Sequence, residues 1–216
     1  MNFNRLLNEV LNTVTQSAGQ LNKPSQSTAD TITKVGGGAA LAGILSMVLG
    51  RKGGAKLTKL GSLAALGSLA YQAYQNYQNY QKNQPVQQNT GELSQEEFVA
   101  TPQTEDSSAI ILRTMIAAAM SDGVLEESER ALIMQEGGDD PALQQWLEQE
   151  ITHPLSVSEI AKIVGKDTAL ATQVYLAARM VCQDLSRKEI VFLGQLAQAL
   201  NLDDALVEQL EKQAGF

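Results

Sequence analysis

Ten residues near the middle of the chain carry the side chains best suited to chemistry: Ser121-Asp122-Gly123-Val124-Leu125-Glu126-Glu127-Ser128-Glu129-Arg130. Asp122-Gly123 followed by Glu129 matches the rear half of a calcium-binding EF-hand loop, where a carboxylate leads into a glycine turn and a bidentate glutamate closes the shell. The front half is missing. Ala118 and Met120 stand where that loop needs oxygen donors, so an EF-hand is excluded. Asp122, Glu126 and Glu129 can still offer oxygens to a divalent cation if another helix completes the shell. A structural reading fits the same residues. Asp122-Gly123 makes a tight turn with glycine as the left-handed cap of the preceding helix, and Glu126 and Glu129 fall in a first helical turn, where carboxylates oppose the macrodipole. Both readings stand at this point.

Little else in the chain is equipped for catalysis. Cys182 is the one cysteine and His153 the one histidine, too few ligands for a zinc site of the His/Cys type or a two-histidine metal centre. Cys182 follows a strongly apolar helix and reads as a small core residue; His153 precedes Pro154 in a connection. Trp146, at helical spacing from Leu143 and Leu147, reads as core. With no strand pattern there is no strand-to-helix phosphate loop. The expectation is a protein that is not an enzyme.

The elements that position the Asp122 segment are helical throughout. Apolar residues recur at three and four, and the spacing predicts helices over 105–121, 126–136, 140–151, 156–164, 167–183, 186–200 and 203–214. Ser156 with Glu159 and Ser186 with Glu189 are capping boxes, Asp167 and Asp203 are N-caps, and Pro141 suits a first turn. The expected fold is all-α, a compact bundle of about seven short helices in residues 105–216. Within it, 115–133 echoes 175–193 at an offset of 60 residues, with Leu125 and Leu185, then Glu129 and Glu189, at matched places. Two related helical hairpins explain the echo.

The front of the chain is of another kind. Residues 1–82 hold 8 basic and 2 acidic side chains, whereas 83–216 hold 8 basic and 22 acidic, so a net +6 precedes a net −14. An acidic domain of that charge repels phosphate, and nucleic acid is not an expected partner. Residues 1–33 read as an amphipathic helix (Phe3, Leu6, Leu7, Val10, Leu11, Val14) and a polar loop. Residues 34–82 contain two apolar stretches, Val35–Gly50 and Leu57–Tyr71, each shorter than the roughly 20 residues that span a bilayer. Gly36, Gly43 and Gly50 recur every seven residues, and Gly61 and Gly67 punctuate the second stretch. Glycine weakens a helix in water but lets helices pack closely in lipid, so membrane lipid and self-association through these helices are the expected partners. The Arg51–Lys59 loop belongs on the cytoplasmic side. Tyr71, Tyr74, Tyr77 and Tyr80 then form an oblique stripe suited to the headgroup zone, or else to a helical extension. Residues 83–104, with Pro85, Gly91 and Pro102, read as a linker holding one short capped turn at Ser94–Glu97.

The Ser121–Arg130 stretch after Ala117-Ala118-Ala119 resembles the signature of TerB-like domains, and the layout resembles the bacterial inner-membrane family typified by YebE. The resemblance covers 35–80 loosely and 109–210 better, through the Asp122-Gly123…Glu129 hairpin and Tyr175–Leu200. It implies two related helical hairpins, inner-membrane association, a tellurite-resistance-like or envelope-stress setting, and an acidic patch for a divalent metal at Asp122 and Glu129. Cys182 stands where the second hairpin would match Asp122, with Asp184 two residues on, which departs from a symmetric two-site metal centre. The family has no established activity. The functional expectation is a membrane-anchored, non-enzymatic protein whose acidic cytoplasmic domain binds a partner protein and a divalent ion. The competing expectation is a soluble, self-associating stress-response scaffold.

Overall fold

The computed structural model describes residues 3–8, 11, 62–82, 93–100, 104–121, 141–182 and 185–216. All of its regular structure is helical: α1 (Leu63–Lys82), α2 (Gln95–Ala100), α3 (Glu105–Ala119), α4 (Pro141–Thr152), α5 (Val157–Val164), α6 (Thr168–Val181), α7 (Arg187–Ala199) and α8 (Asp204–Ala214), with a further helical segment at residues 3–8. No strand occurs among the described residues. The expected helix at 126–136 lies outside them.

The helix starts follow local chemistry. The Ser156 Oγ accepts from the Glu159 N–H at 3.3 Å while the Glu159 carboxylate accepts from the Ser156 N–H at 2.9 Å, and Ser186 with Glu189 repeats the arrangement at 3.3 and 2.7 Å. These reciprocal bonds satisfy N–H groups that no helical carbonyl can reach. Asp167 and Asp203 cap α6 and α8 through 2.9 Å bonds from Leu170 N and Ala205 N. Thr104, unmarked in the sequence, caps α3 by accepting from Ser107 N.

The core is built around α6, which is buried from Ala169 to Val181 and packs against α1, α2, α3, α5, α7 and α8. Its principal partner on one side is α3, whose Ile111, Leu112, Met115 and Ile116 are buried. The two helices that echo one another in sequence therefore meet in the core. Against α6 lies α1, which also runs along α8. Leu66, Leu69, Ala70, Ala73, Tyr74 and Tyr77 of α1 are buried in this same core. The later half of the second apolar stretch is thus covered by protein. The tyrosine stripe divides accordingly: Tyr74 and Tyr77 face inward, where both rings lie near others, and Tyr80 is exposed.

Two further pieces join the core from regions read as peripheral. The capped turn at Ser94–Glu97 opens α2, whose Phe98 is fully buried and lies 5.4 Å from the Tyr74 ring. Gly67 of α1 faces it so closely that a Cβ would fall 2.4 Å from the Phe98 carbonyl oxygen, a separation that admits only glycine. At the N-terminus, Leu6, Leu7 and Leu11 are buried, the Phe3 N–H donates to Glu105 at 2.9 Å, and the Phe3 ring stands edge-on to Trp146 at 5.3 Å. The amphipathic face anticipated for residues 1–33 packs, in its described part, on α3 and α4. Among the described residues no helix is long and apolar enough to cross a membrane. Gly36, Gly43, Gly50 and Gly61 lie outside the described residues, as does the whole Val35–Gly50 stretch.

Candidate functional site

The segment expected to hold a cation begins where α3 ends. Met120 closes that helix by donating its N–H to Ile116, and Ser121 turns back, its N–H and hydroxyl both donating to the Ala118 carbonyl at 3.1 and 2.7 Å. Asp122, Glu126 and Glu129 follow at once and lie outside the described residues. Among the described residues no three His, Cys, Asp or Glu side chains converge.

The C-terminal end of α3 opens instead onto a cleft of about 440 Å³ lined by Ser121, Arg187, Lys188, Val191, Phe192 and Gln195. All but Ser121 come from α7. That helix buries Glu189, Leu193, Leu196 and Ala197 and turns Arg187, Lys188, Ile190 and Val191 outward. The lining sets Arg187 and Lys188 beside Val191 and Phe192, with Ser121 and Gln195 completing it. The sequence carried the signal in Ser186-Arg187-Lys188-Glu189-Ile190-Val191, where a capping box fixes which residues face in and leaves cations and branched apolar residues facing out.

A second polar group is buried between α6 and α8. The Tyr175 hydroxyl donates to Glu211 at 2.9 Å, Arg179 Nε donates to the same carboxylate oxygen at 3.2 Å, and Arg179 Nη1 donates to the Cys182 carbonyl at 2.7 Å. The Arg179 guanidinium lies 4.0 Å over the Phe216 ring. Burial, and then the Glu211 carboxylate, push the Tyr175 hydroxyl above the ordinary tyrosine range. A phenol held neutral and fully engaged has no proton to exchange near neutrality, so this group fastens α8 to α6. Arg113 and Glu150 tie α3 to α4 in the same way, Nε to Oε1 at 2.8 Å, with the glutamate side chain only 4% exposed.

The remaining candidates for chemistry are placed apart. Cys182 caps α6, fully buried, with its N–H donating to Ala178. His153 is exposed after α4. Trp146 is half-buried against Phe3. Of the glycines expected at close packing, Gly67 is described, and its close neighbour is the backbone of α2.

Comparison with curated proteins and with solved structures found no match. A family model described as "Protein of unknown function (DUF533)" matches residues 34–214, a span that takes in every helix from α1 to α8 and the Gly-rich stretch before them, and the chain belongs to that family.

Proposed function

We propose that this protein is a non-enzymatic membrane adaptor, held at the bacterial inner membrane by residues between 34 and 61, with its acidic helical domain in the cytoplasm to bind a partner protein. The observation that carries the reading is the division of the chain: an uncharged stretch with glycine every seventh residue at Val35–Gly50, followed by Arg51, Lys52, Lys56 and Lys59, ahead of a region of net −14. Small residues on one helical face are useful for packing in lipid and costly in water. Basic residues next to the apolar stretch favour the cytoplasmic side. With α1 committed to the helical core, the lipid-directed part contracts to what precedes it. Its length suits a shallow or paired insertion better than a single crossing. The likeness to YebE-like proteins and to TerB-like domains supports the same reading, as does the packing of the echoing helices α3 and α6 against each other.

Membrane fractionation with an alkaline carbonate wash tests it: retention in the pellet is the expected result, and full release contradicts it. The burial of Leu66, Leu69 and Ala70 in protein favours a second reading, a soluble scaffold that self-associates through the Gly-rich stretch, and that protein is released by the wash. A divalent ion at Asp122, Glu126 and Glu129 extends the first reading. Calorimetric titration of the full chain with calcium and with magnesium is expected to give a binding isotherm that Asp122→Asn and Glu129→Gln abolish. Identical isotherms in all three proteins would remove that site.

A further inference from the structure

We infer that residues 3–11 and the helical domain lie on the same side of the membrane, and that the stretch between them enters the bilayer from that side without crossing it. The inference rests on the membrane attachment proposed above and names what the stretch engages, the near leaflet alone. Both flanks of residues 12–61 are built into one body. In front, the Phe3 N–H donates to Glu105 at 2.9 Å, the Ser108 hydroxyl donates to the Asn4 side-chain oxygen, and the Phe3 ring meets Trp146 edge-on at 5.3 Å. Leu6 is 6% exposed, and Leu7 and Leu11 are 0% exposed. Behind, Leu66, Ala70 and Ala73 of α1 are fully buried in the same hydrophobic core. Moving the front segment to the far side of a bilayer would return three leucines to water and break the bonds to Glu105 and Ser108. A folded body with so many charges stays on one side of the hydrocarbon, and its two clasped flanks stay with it.

A chain whose two flanks share a side crosses an even number of times or not at all, so a single crossing is excluded. Length excludes a pair. Two crossings need about 40 apolar residues. Between residues 12 and 61, Val35–Gly50 supplies 16 uncharged residues, and Leu57–Gly61 adds five that include Lys59. The residues that would prolong the second stretch, from Leu66 onward, are taken into the protein core. Charge agrees from an independent direction. Lys34 stands immediately before the longer stretch, and Arg51 and Lys52 immediately after it. Cations beside an apolar segment favour the cytoplasmic side, so both ends call for the same face. What is left is insertion into the headgroup and outer acyl zone of one leaflet, as for interfacial segments with cations at their edges.

The test labels the full chain with a membrane-impermeant maleimide through Asn8→Cys, Lys56→Cys or Glu208→Cys, taken singly. Asn8 and Glu208 are exposed. Cys182 is fully buried, and the parent protein treated identically measures any reaction there. Spheroplasts admit the reagent to the outer face of the inner membrane, and inverted vesicles admit it to the cytoplasmic face. The expected result is that Asn8→Cys and Glu208→Cys react in inverted vesicles and that no position reacts in spheroplasts. Reaction of Asn8→Cys in spheroplasts, with Glu208→Cys reacting in inverted vesicles, would mean a single crossing and overturn the inference. Reaction of Lys56→Cys from the outer face alone would mean two crossings and overturn it equally, and in both cases the attachment stands. Loss of the chain from the membranes on a carbonate wash refutes the attachment and takes this inference with it. The clasp is read separately from Trp146, the one tryptophan in the chain. Deleting residues 2–11 is expected to red-shift its emission and raise its quenching by acrylamide; an emission unchanged by the deletion would show that the front segment is not seated on α4 and overturn the inference.

Discussion

Gly67 shows how one residue can decide whether a segment belongs to the fold. Its hydrogen is all that separates α1 from the Phe98 carbonyl, and that carbonyl also accepts from the buried Gln173 amide at 2.9 Å. Three helices meet at this oxygen. Gly67→Ala is therefore expected to force α1 and α2 apart and to cost about 1–3 kcal/mol, the usual penalty of overpacking, read as a lower denaturant midpoint at unchanged slope. Tyr175 makes a prediction of a different kind. A hydroxyl raised in the folded state keeps its full stabilising contribution below tyrosine's ordinary value of 10.0 and loses it as pH climbs above that value. Unfolding followed by circular dichroism should show stability falling above pH 10, more shallowly in Tyr175→Phe. Tyr77, raised chiefly by its own burial, leaves a residual slope of the same sign. The variant should also be about 1 kcal/mol less stable at neutral pH through its lost bond to Glu211. An identical alkaline slope in both proteins would show that Tyr175 is not held neutral by the fold.

At the scale of elements, the helices from α3 onward that the structure describes fall within two residues of where periodicity and caps put them. Their signals are local: a serine hydroxyl and a glutamate three positions on declare a helix start wherever they occur. The join between front and back was hidden for the opposite reason. A tract of tyrosine and glutamine gives no amphipathic contrast, because tyrosine serves a core, a headgroup zone or a solvated surface equally well. Only contacts distant in sequence decide that Tyr74 and Tyr77 go in while Tyr80 stays out. Likewise Phe98 is the only aromatic residue between Pro85 and Pro102, and nothing near it marks it as core. The outward residues of α7 were legible in part, since the capping box fixes the helix's register. The fold consequently predicts that residues 105–216 alone are an incomplete unit. A fragment spanning 62–216 should unfold cooperatively, whereas 105–216, stripped of the helix α1 on which α8 packs, should bind a hydrophobic dye and melt broadly. Phe98→Ala in the longer fragment should cost about 3–5 kcal/mol. Equal stability of the two fragments would mean that α1 and α2 are accessories after all.

For the whole molecule, the argument concerns what remains once the helical fold has taken its share. The fold uses Leu63–Lys82 and part of the first eleven residues; the Gly-rich stretch and its basic neighbours stand between them. Opposite net charges on the two parts of one chain suit a surface that is apolar within and anionic without. The basic front would approach such a surface, and the acidic domain would be held off it. The measurement that bears most directly on this is flotation of the purified full-length chain with phosphatidylcholine–phosphatidylglycerol vesicles after a carbonate wash, beside the same chain lacking residues 35–61. The account predicts that the intact chain rises with the lipid and the shortened one stays at the bottom of the gradient. It is contradicted if the two behave alike.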